Sequence, residues 1–573
     1  MQIKQTLVRL LLVLLPVAAS AQTTYLPQDA REIYLLNRLE IKAVHDSVLN
    51  FSKLKPFSRE SLIPLLEKYS SLALPITTQN GTELNAQINE VKPRLTKVDD
   101  YNIYSALLDN PEWSTVHAQS KRPFLKNFYK SPANFYEVNK PEFFLAVNPV
   151  FQYTLSKEKG NTENLFLNTR GISLRGRIGN KIGFATYLTD NQERDPLYVQ
   201  QYATERKAVP GQGFYQDFKG NGYDYFDTRG YLTFSASKYI DLTFGYDKNF
   251  IGNGYRSLFL SDFGSPALFF RINTRIWKFN YQNLFMELVS GNRLGADNLY
   301  PKKYAAMHHL DLAVTKWMNI GLFEGVIFGR KNRFEFGYFN PVIFYRSVEQ
   351  QSGSFDNSVL GADLKANVAG HFQVYGQFLL DEFNLKEQRK GTGWWGNKYG
   401  IQMGAKYIDA LSIKNLDLQL EMNRVRPFTY SHRDSVANYT HYNQPLAHPL
   451  GANFNEVIGI ARYQPAPKWV MQAKAMYVLQ GRDTGVVNNG ANIFLPNGPP
   501  YRVKDFGFSI GEGVRTKTGL LSFLLSYELK HNFYLEAYAL YRKQTADVKS
   551  LSSNTTLFSA GVRWNLQRRE FDF

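Results

Sequence analysis

Residues 416–423 read Leu416-Asp417-Leu418-Gln419-Leu420-Glu421-Met422-Asn423, so apolar and polar side chains alternate without exception. Successive side chains of a β-strand point to opposite faces, and the pattern therefore predicts a strand with one apolar face and one polar, charged face. Four other segments repeat the alternation, and their apolar members are Ile172, Leu174 and Ile178; Leu232 and Phe234; Phe372, Val374, Phe378 and Leu380; and Leu521, Phe523, Leu525 and Tyr527. The pattern begins near residue 135 and predicts a large antiparallel sheet with one apolar surface.

Such strands fit either a soluble β-sandwich or a closed barrel in a membrane, and three features favour the barrel. The strands run about ten residues, which is the length that a tilted transmembrane strand needs. Aromatic residues stand at strand ends, as in the girdles of outer-membrane barrels. Connections alternate between tight ones, as at residues 179–180 and 238–239, and long ones, as at residues 191–229 and 249–267. The sequence therefore predicts an all-β transmembrane barrel over residues 135–573.

The length of this region predicts about 16–18 antiparallel strands, an even number being expected. The alternation slips after Gln480. If residues 465–467 form a periplasmic turn, the predicted strands leave the C-terminus outside, so at least one strand predicted between residues 481 and 530 is misplaced. The chain ends in Phe573, as outer-membrane proteins often do for their insertion machinery, but the last clear strand ends near Trp564.

Residues 1–22 have the composition of a cleaved secretory signal. Lys4 and Arg9 precede a short apolar core, and residues 19–21 form an A-x-A cleavage site. No second long apolar run follows and the mean hydropathy is -0.35, so the sequence excludes helical membrane spans. Aromatic residues make up 15% of the chain, and their combination with export and negative hydropathy favours the outer membrane as the location.

The formal net charge is +17, and the chain contains no cysteine. A disulfide framework, a thiol nucleophile and a thiolate metal site are therefore excluded, and a closed ring of strand hydrogen bonds could stabilise the exported chain instead. The basic balance predicts contact with anionic lipopolysaccharide or acidic glycans. Nucleic acid is not expected as a partner, because an exported chain rarely meets it.

Residues 23–134 show helical periodicity and predict a small helical bundle. Asp29 is a candidate cap for the first helix, and Ser58 opens the second. The apolar faces of the four predicted helices are Ile33, Leu36 and Leu39; Leu62 and Ile63; Leu84, Ile88 and Val91; and Tyr101, Tyr104, Leu107 and Leu108. We expect this domain on the periplasmic side, where it could bind periplasmic or envelope proteins.

The sequence shows no convincing catalytic or metal-binding signature. The histidines lack metal-ligand spacing, and the adjacent His308 and His309 would point to opposite faces of a strand. The sequence therefore predicts a protein that is not an enzyme and needs no cofactor. The inward-facing Arg175, Arg177, Asp417 and Glu421 are expected to pair with one another rather than with a substrate.

Two long connections contain the residue types that bind sugars. Sugar recognition combines planar hydrogen-bonding groups with aromatic faces, and arginine also neutralises acidic sugars. The candidate polysaccharide-binding residues in these connections are Asn253, Tyr255 and Arg256 in the first and Tyr439, His441 and His448 in the second. The alternative is that these residues tie down a folded external loop that plugs the pore.

Four stretches together resemble the Wzi-type capsule-assembly family and the related Bacteroidetes barrels named gliding-motility protein RemB. They are Tyr25-Leu26-Pro27 with Arg38-Leu39 and residues 55–59; residues 252–261 with Pro266 and Arg271; Asp356-Asn357, Gly361, Asp363, residues 375–377 and Asp381-Glu382; and residues 439–451. Where the family has a Trp-Gly-Pro-Gly-like run, this chain reads Ile251-Gly252-Asn253-Gly254.

This resemblance implies a barrel with a periplasmic helical bundle that attaches or assembles surface polysaccharide in a lectin-like, non-enzymatic way. It adds Arg271 to the candidate polysaccharide-binding residues. Two alternatives remain open: an outer-membrane component of the gliding-motility or type IX secretion apparatus, and a porin-like solute channel.

Overall fold

The computed structural model describes residues 24–27, 30–70, 93–116, 118–121, 123–179, 181–291, 299–331, 333–342 and 344–573. The predicted signal segment, the predicted cap Asp29 and the third predicted helix around Ile88 lie outside the described residues.

Eighteen antiparallel strands form a closed barrel, which confirms the predicted architecture. Strand β18 pairs with β1 and closes the ring. The strands are β1 (Phe143–Glu158), β2 (Leu165–Ile178), β3 (Ile182–Arg194), β4 (Gly222–Ser237), β5 (Ile240–Asp247), β6 (Ala267–Ile276), β7 (Phe279–Val289), β8 (Lys302–Ala313), β9 (Met318–Phe328), β10 (Asn357–Val368), β11 (Phe372–Glu382), β12 (Lys398–Tyr407), β13 (Leu416–Val425), β14 (Phe454–Ala466), β15 (Trp469–Arg482), β16 (Val514–Lys530), β17 (Phe533–Ala546) and β18 (Ser553–Trp564).

The sequence alternation follows from the two environments of the barrel wall. On β13, Leu420 is 61% exposed on the outer face, whereas Glu421 and Asn423 are fully buried on the side of the lumen. A barrel strand shows its outer face every second residue, which is why residues 416–423 alternate so strictly.

Tight and long connections alternate around the barrel and define its two ends, here called the tight-turn end and the long-loop end. Between residues 481 and 530 the chain forms one long connection, residues 483–513, followed by the single strand β16. This corrects the strand count that the sequence left inconsistent, and β18 therefore finishes at the tight-turn end.

The N-terminal helices are α1 (Arg31–Ala43), α2 (Arg59–Tyr69) and α3 (Lys97–Asp109). The side chain of Ser58 caps α2, and Thr96 and Asp99 form a capping box at the start of α3. The helices share one hydrophobic core that includes Leu36, Leu39, Ile63, Leu66, Ile103 and Leu107. Each of these helices is short, so their mutual packing stabilises them more than intrinsic helix propensity does.

Ion pairs join this helical region to the tight turns and to the lumen wall. Arg38 in α1 contacts Asp409, which lies in the turn between β12 and β13, and Asp417 at the start of β13. His531 in the turn before β17 stands 2.6 Å from Asp109 at the end of α3. The helices therefore sit at the tight-turn end of the barrel.

The long connections contain α4 (Leu197–Arg206), α5 (Tyr345–Ser352) and α6 (Leu385–Lys390). Short strands pair Leu54–Lys55 with Phe250–Ile251 and Thr440–His441 with Gln444–Pro445, while Tyr136–Lys140 and Gln216–Phe218 extend the barrel sheet at β1 and β4. No helix in the described ranges is long and apolar enough to cross a membrane.

Candidate functional site

Residues 248–266, here called the inner loop, connect β5 to β6 and fold into the barrel lumen. Leu258 and Phe259 are fully buried there. The side chain of Gln377 on β11 accepts the backbone N–H of Leu258 (2.9 Å) and donates to the carbonyl of Ile251 (3.1 Å). Lumen-facing side chains thus form hydrogen bonds with backbone N–H and C=O groups of the loop that have no partner in a helix or strand. These bonds hold the inner loop inside the barrel rather than above it.

Glu421 on β13 fixes the middle of the inner loop. Its carboxylate accepts the backbone N–H groups of Tyr255 (2.6 Å) and Arg256 (3.0 Å). The guanidinium of Arg256 then pairs with Asp572 (3.1 Å) and stands 3.6 Å from Glu456 on β14. Glu421 therefore binds the inner loop in addition to Tyr375 on β11 (2.8 Å) and Gln402 on β12 (3.4 Å).

Residues 565–573, here called the C-terminal tail, turn back from the end of β18 into the lumen. Asp572 receives Arg256 and the amine of Lys474 on β15 (2.5 Å). Burial would raise the pKa of Asp572, but Arg256 and Lys474 outweigh it and lower the pKa to about 2. The tail is thus locked to the inner loop by a buried carboxylate that stays ionised.

The aromatic end of the tail packs against the long-loop side of the lumen. The ring of Phe573 lies 4.7 Å from that of Tyr202 and 6.0 Å from that of Tyr198, both in α4. Tyr198 donates its hydroxyl hydrogen to the carbonyl of Phe571 (2.5 Å). Phe573 therefore lies inside the barrel instead of at the end of a wall strand.

The predicted residues of the second connection are also buried in protein contacts. His441 accepts the N–H of Val289 at Nδ1 (2.9 Å) and donates from Nε2 to the carbonyl of Pro266 (2.9 Å). Burial lowers the pKa of His441 to about 3, so the ring is neutral at physiological pH. Tyr439 donates to the carbonyl of Phe259 (2.7 Å), and Nε2 of His448 stands 2.7 Å from Glu456.

Asn253 and Arg271 complete the set of seven predicted residues. Asn253 donates to the hydroxyl of Ser52 (3.0 Å), and Arg271 donates to Asn249 (3.0 Å) with its guanidinium 4.6 Å from the ring centre of Tyr25. The structure therefore gathers all seven residues around the inner loop, where each has a protein partner. Contact of these residues with polysaccharide stays a prediction.

The charged residues on the lumen wall pair differently from the sequence prediction. Arg175 on β2 pairs with Glu112, which follows α3, at 3.1 Å, and Asp417 pairs with Arg38 of α1. Their partners come from the helical region because that region fills the tight-turn end. A strand pattern carries no information about these partners, which lie far away in sequence.

A cavity of about 650 Å³ remains in the lumen between the helical region, the inner loop and the C-terminal tail. Its lining contains more lysine and arginine than aspartate and glutamate, together with many tyrosines and amides. Its size is that of a site for a small organic ligand or a short oligosaccharide.

One side of this cavity, here called the cationic wall, is formed by Tyr34 and Asn37 of α1, Lys406 of β12, Gln419 of β13 and Arg462 of β14. The guanidinium of Arg462 lies 3.9 Å from the ring centre of Tyr34. Lys406 donates to the side-chain amides of Asn37 (3.3 Å) and Gln373 (3.1 Å). Within the described part of the chain, neither Lys406 nor Arg462 forms a direct ion pair, although Asp417 stands opposite Arg462 on β13. Both side chains can therefore donate to an anionic ligand.

Sequence reasoning missed the cationic wall. On β14, Arg462 and Glu456 belong to the same set of alternate residues, which faces the lumen. This alternation is visible in the sequence. What the period cannot show is that Tyr34 on α1 faces Arg462, because the docking of the helices was not predictable. In the described residues, no three His, Cys, Asp or Glu side chains stand close enough together to hold a metal ion.

No protein-family model matches the chain, and no curated protein matches it in sequence. Among solved structures, it is similar to Wzi, an outer-membrane protein involved in group 1 capsule assembly in Escherichia coli and a carbohydrate-binding β-barrel. The TM-score is 0.55 at 14% identity, over 96% of this chain and 100% of that one. The chain therefore has a Wzi-like fold, as the resemblance implied.

A weaker likeness is to the outer-membrane protein OprD of Pseudomonas aeruginosa, with a TM-score of 0.41 and 10% identity over 73% of this chain and 94% of that one. Another is to OccAB2 of Acinetobacter baumannii, with a TM-score of 0.41 and 11% identity over 73% of this chain and 98% of that one.

Proposed function

We propose that this protein is an outer-membrane barrel that attaches or assembles surface polysaccharide by lectin-like, non-enzymatic binding. The observation that carries the proposal is the cationic wall, where Arg462 stacks on Tyr34 and Lys406 donates to amides and forms no direct ion pair within the described residues. An acidic sugar would place its carboxylate on the cations and its apolar ring face on tyrosine. The carbohydrate binding of Wzi, which has the same fold, supports this assignment.

The distribution of apolar residues supports the proposed membrane location. Outward side chains such as Leu420, Leu521 and Phe558 are 57–63% exposed on the barrel wall, where hydrocarbon would cover them. Outer-membrane barrels have short periplasmic turns and long external loops, so the helical region would face the periplasm. From there it is free to bind envelope proteins.

Segments of the chain fill much of the lumen, which argues against a porin-like channel. The helical region, the inner loop and the C-terminal tail all enter the lumen, and ion pairs fix them to its wall. An open channel needs a continuous water path through such a barrel. A ligand-binding cavity closed on several sides suits attachment better than diffusion.

The test is a deletion strain complemented with the intact protein, with Arg462→Ala plus Lys406→Ala, or with Lys543→Ala as a matched control on the exposed outer face. Cell-bound and released polysaccharide are stained, and spreading on agar is recorded. We expect the double variant to release polysaccharide as the deletion does, while Lys543→Ala retains it.

Two outcomes would contradict the proposal. Full retention by a correctly assembled double variant would separate the cationic wall from polysaccharide. Normal polysaccharide with lost spreading in the deletion strain would favour the motility or secretion alternative.

A further inference from the structure

Residues 329–356, here called the outer flap, connect β9 to β10 and fold down against the outside of the barrel. Tyr338, Tyr345 and Val348 of the flap are buried in one cluster with Phe285, Ala306 and Val326, which belong to β7, β8 and β9. These three wall residues oppose one another across the strands in one register row. The same face is shared by Leu322 and Leu360, which are 58% and 44% exposed on the outer wall. The flap therefore covers part of the outer surface.

Beneath the flap lies a row of polar side chains at mid-height on the outer wall. Asn283, His308 and Glu324 are direct cross-strand neighbours on β7, β8 and β9, and all three are buried. The ring centre of His308 lies 4.0 Å from that of Tyr345, with the two ring planes tilted by 38°. The first backbone N–H groups of α5, at Tyr345 and Arg346, donate hydrogen bonds to Glu324.

Bare hydrocarbon would leave these polar groups without partners, which is costly inside a bilayer. The flap donates hydrogen bonds to Glu324 and covers Asn283 and His308, whose Oδ1 and Nε2 atoms have no hydrogen-bond partner among the described residues. The flap therefore separates this polar row from the surroundings of the barrel, by covering all three side chains and by pairing Glu324.

The tip of the flap reaches nearly to the tight-turn end. Tyr281, two residues from the start of β7, donates its hydroxyl hydrogen to the carbonyl of Pro341 (2.6 Å). At this tip Val342 is 83% exposed and Phe344 is 54% exposed. Nearer the base, Phe334 packs on Tyr304 and Phe328 close to the long-loop end of the strands.

Charged residues are concentrated at the base of the flap, whereas the two exposed apolar residues described above lie at the tip. Arg330, Lys331, Arg333 and Glu335 lie at the base of the flap, whereas residues 336–345 contain no charged side chain. In α5, the side chain of Arg346 is 65% exposed and its guanidinium pairs with Glu349 (2.9 Å). A long arginine side chain at this position can extend its charged end towards the membrane surface. Charged groups near the membrane surface and apolar groups at depth are the distribution that a bilayer selects.

We infer that the outer flap is embedded in the bilayer, with its tip, around Val342, in contact with lipid acyl chains. The inference rests on the membrane location proposed above and goes beyond it, because a long connection would otherwise be placed in water. The occupant of the exposed apolar surface is lipid hydrocarbon, since that surface continues the wall that contains Leu322.

The chain has no cysteine, so single cysteines can be labelled without background. A nitroxide is attached at Val342→Cys in protein reconstituted into phosphatidylcholine vesicles, and its collision rates with oxygen and with a water-soluble nickel complex are measured. Leu322→Cys on β9 is the lipid-facing control, and Val503→Cys, 68% exposed in the connection before β16, is the aqueous control.

We expect the oxygen-to-nickel ratio at Val342 to match that at Leu322, and Phe336→Cys, nearer the base, to give a smaller ratio than Val342→Cys. A ratio at Val342 equal to that at Val503 would overturn the inference, as would shielding from both reagents, which would indicate a protein partner. A low ratio at Leu322 itself would instead refute the proposed membrane location.

Discussion

Asp572 joins the C-terminal tail to the inner loop through Arg256 and to β15 through Lys474. Both cations keep a second carboxylate, at Glu456 and Glu570 respectively, so losing Asp572 weakens the cluster without abolishing it. We expect Asp572→Asn to lower the free energy of tail opening by about 1–3 kcal/mol.

Hydrogen exchange of residues 565–573 in the purified protein measures this change. Asp547→Asn is the matched control, because Asp547 is exposed and forms no ion pair in the described structure. Equal protection of the tail in Asp572→Asn and in the intact chain would mean that the aromatic contacts of Phe573 hold the tail without the ion pairs.

His441 makes the second connection sensitive to acid. Burial lowers its pKa to about 3, below the ordinary value of 6.5, so the folded state binds the proton less tightly than the unfolded chain. The contribution of neutral His441 to the free energy of unfolding is therefore complete above pH 6.5 and declines as the pH falls towards 3. At pH 5 the loss is about 2 kcal/mol, from 1.36 kcal/mol for each unit of pKa difference.

The check is the difference in Tm between pH 7.5 and pH 5. His441→Gln keeps an acceptor and a donor at similar positions but does not titrate in this range. We expect a larger drop in Tm for the intact chain than for His441→Gln. Equal drops in both would show that His441 is not the acid-sensitive group.

Among the elements, the barrel strands could be predicted from the sequence, but the loops and helices that pack against them could not. Leu420 and Glu421 alternate because one meets the outside and the other the lumen, and local sequence records that difference. On β8 the alternation of apolar and polar residues is interrupted, because the adjacent His308 and His309 are both polar. His309 faces the lumen, 2.7 Å from Asp363, and His308 faces the outer flap.

The candidate site was predictable only in part, for the same reason. The sequence identified the two connections that surround the lumen, but their polar residues are satisfied by distant partners such as Ser52 and Glu421. The cationic wall combines an inward strand position, Arg462, with a helix residue, Tyr34. Such a pairing depends on how the elements dock, which periodicity does not encode.

The segment between α1 and α2 is fixed to the barrel by Lys53, whose amine stands 3.0 Å from Asp311 on β8 and also contacts Asp363 on β10. All three side chains are buried. Lys53→Met would remove the lysine from both buried carboxylates, although Asp363 keeps its contact with His309, and we expect it to destabilise the docked helical region by about 3 kcal/mol.

Urea-dependent proteolysis of residues 24–134 measures this loss. Adding Asp311→Asn to Lys53→Met removes one of the unpaired charges and should recover part of the stability. Lys97→Met, at an exposed position at the start of α3, is the control. An unchanged urea midpoint for Lys53→Met would show that the helices dock without this ion pair.

In the whole molecule, three segments that are distant in sequence share one lumen. The helical region closes the tight-turn end, and the inner loop and C-terminal tail cross the middle, joined through Asp572. Between them remains a cavity of about 650 Å³. This arrangement favours a barrel that holds a ligand over one that conducts solutes.

The bilayer conductance of the intact protein tests this reading of the whole molecule. We expect no steady conductance in planar bilayers, because ions would have to pass segments whose charged groups are paired and buried, such as Arg256 with Asp572. A porin reconstituted under the same conditions is the positive control, and labelled protein confirms insertion. A steady conductance from the intact chain would show a continuous water path past all three segments and would make solute transport the leading function, with the cationic wall as its selectivity element for anions.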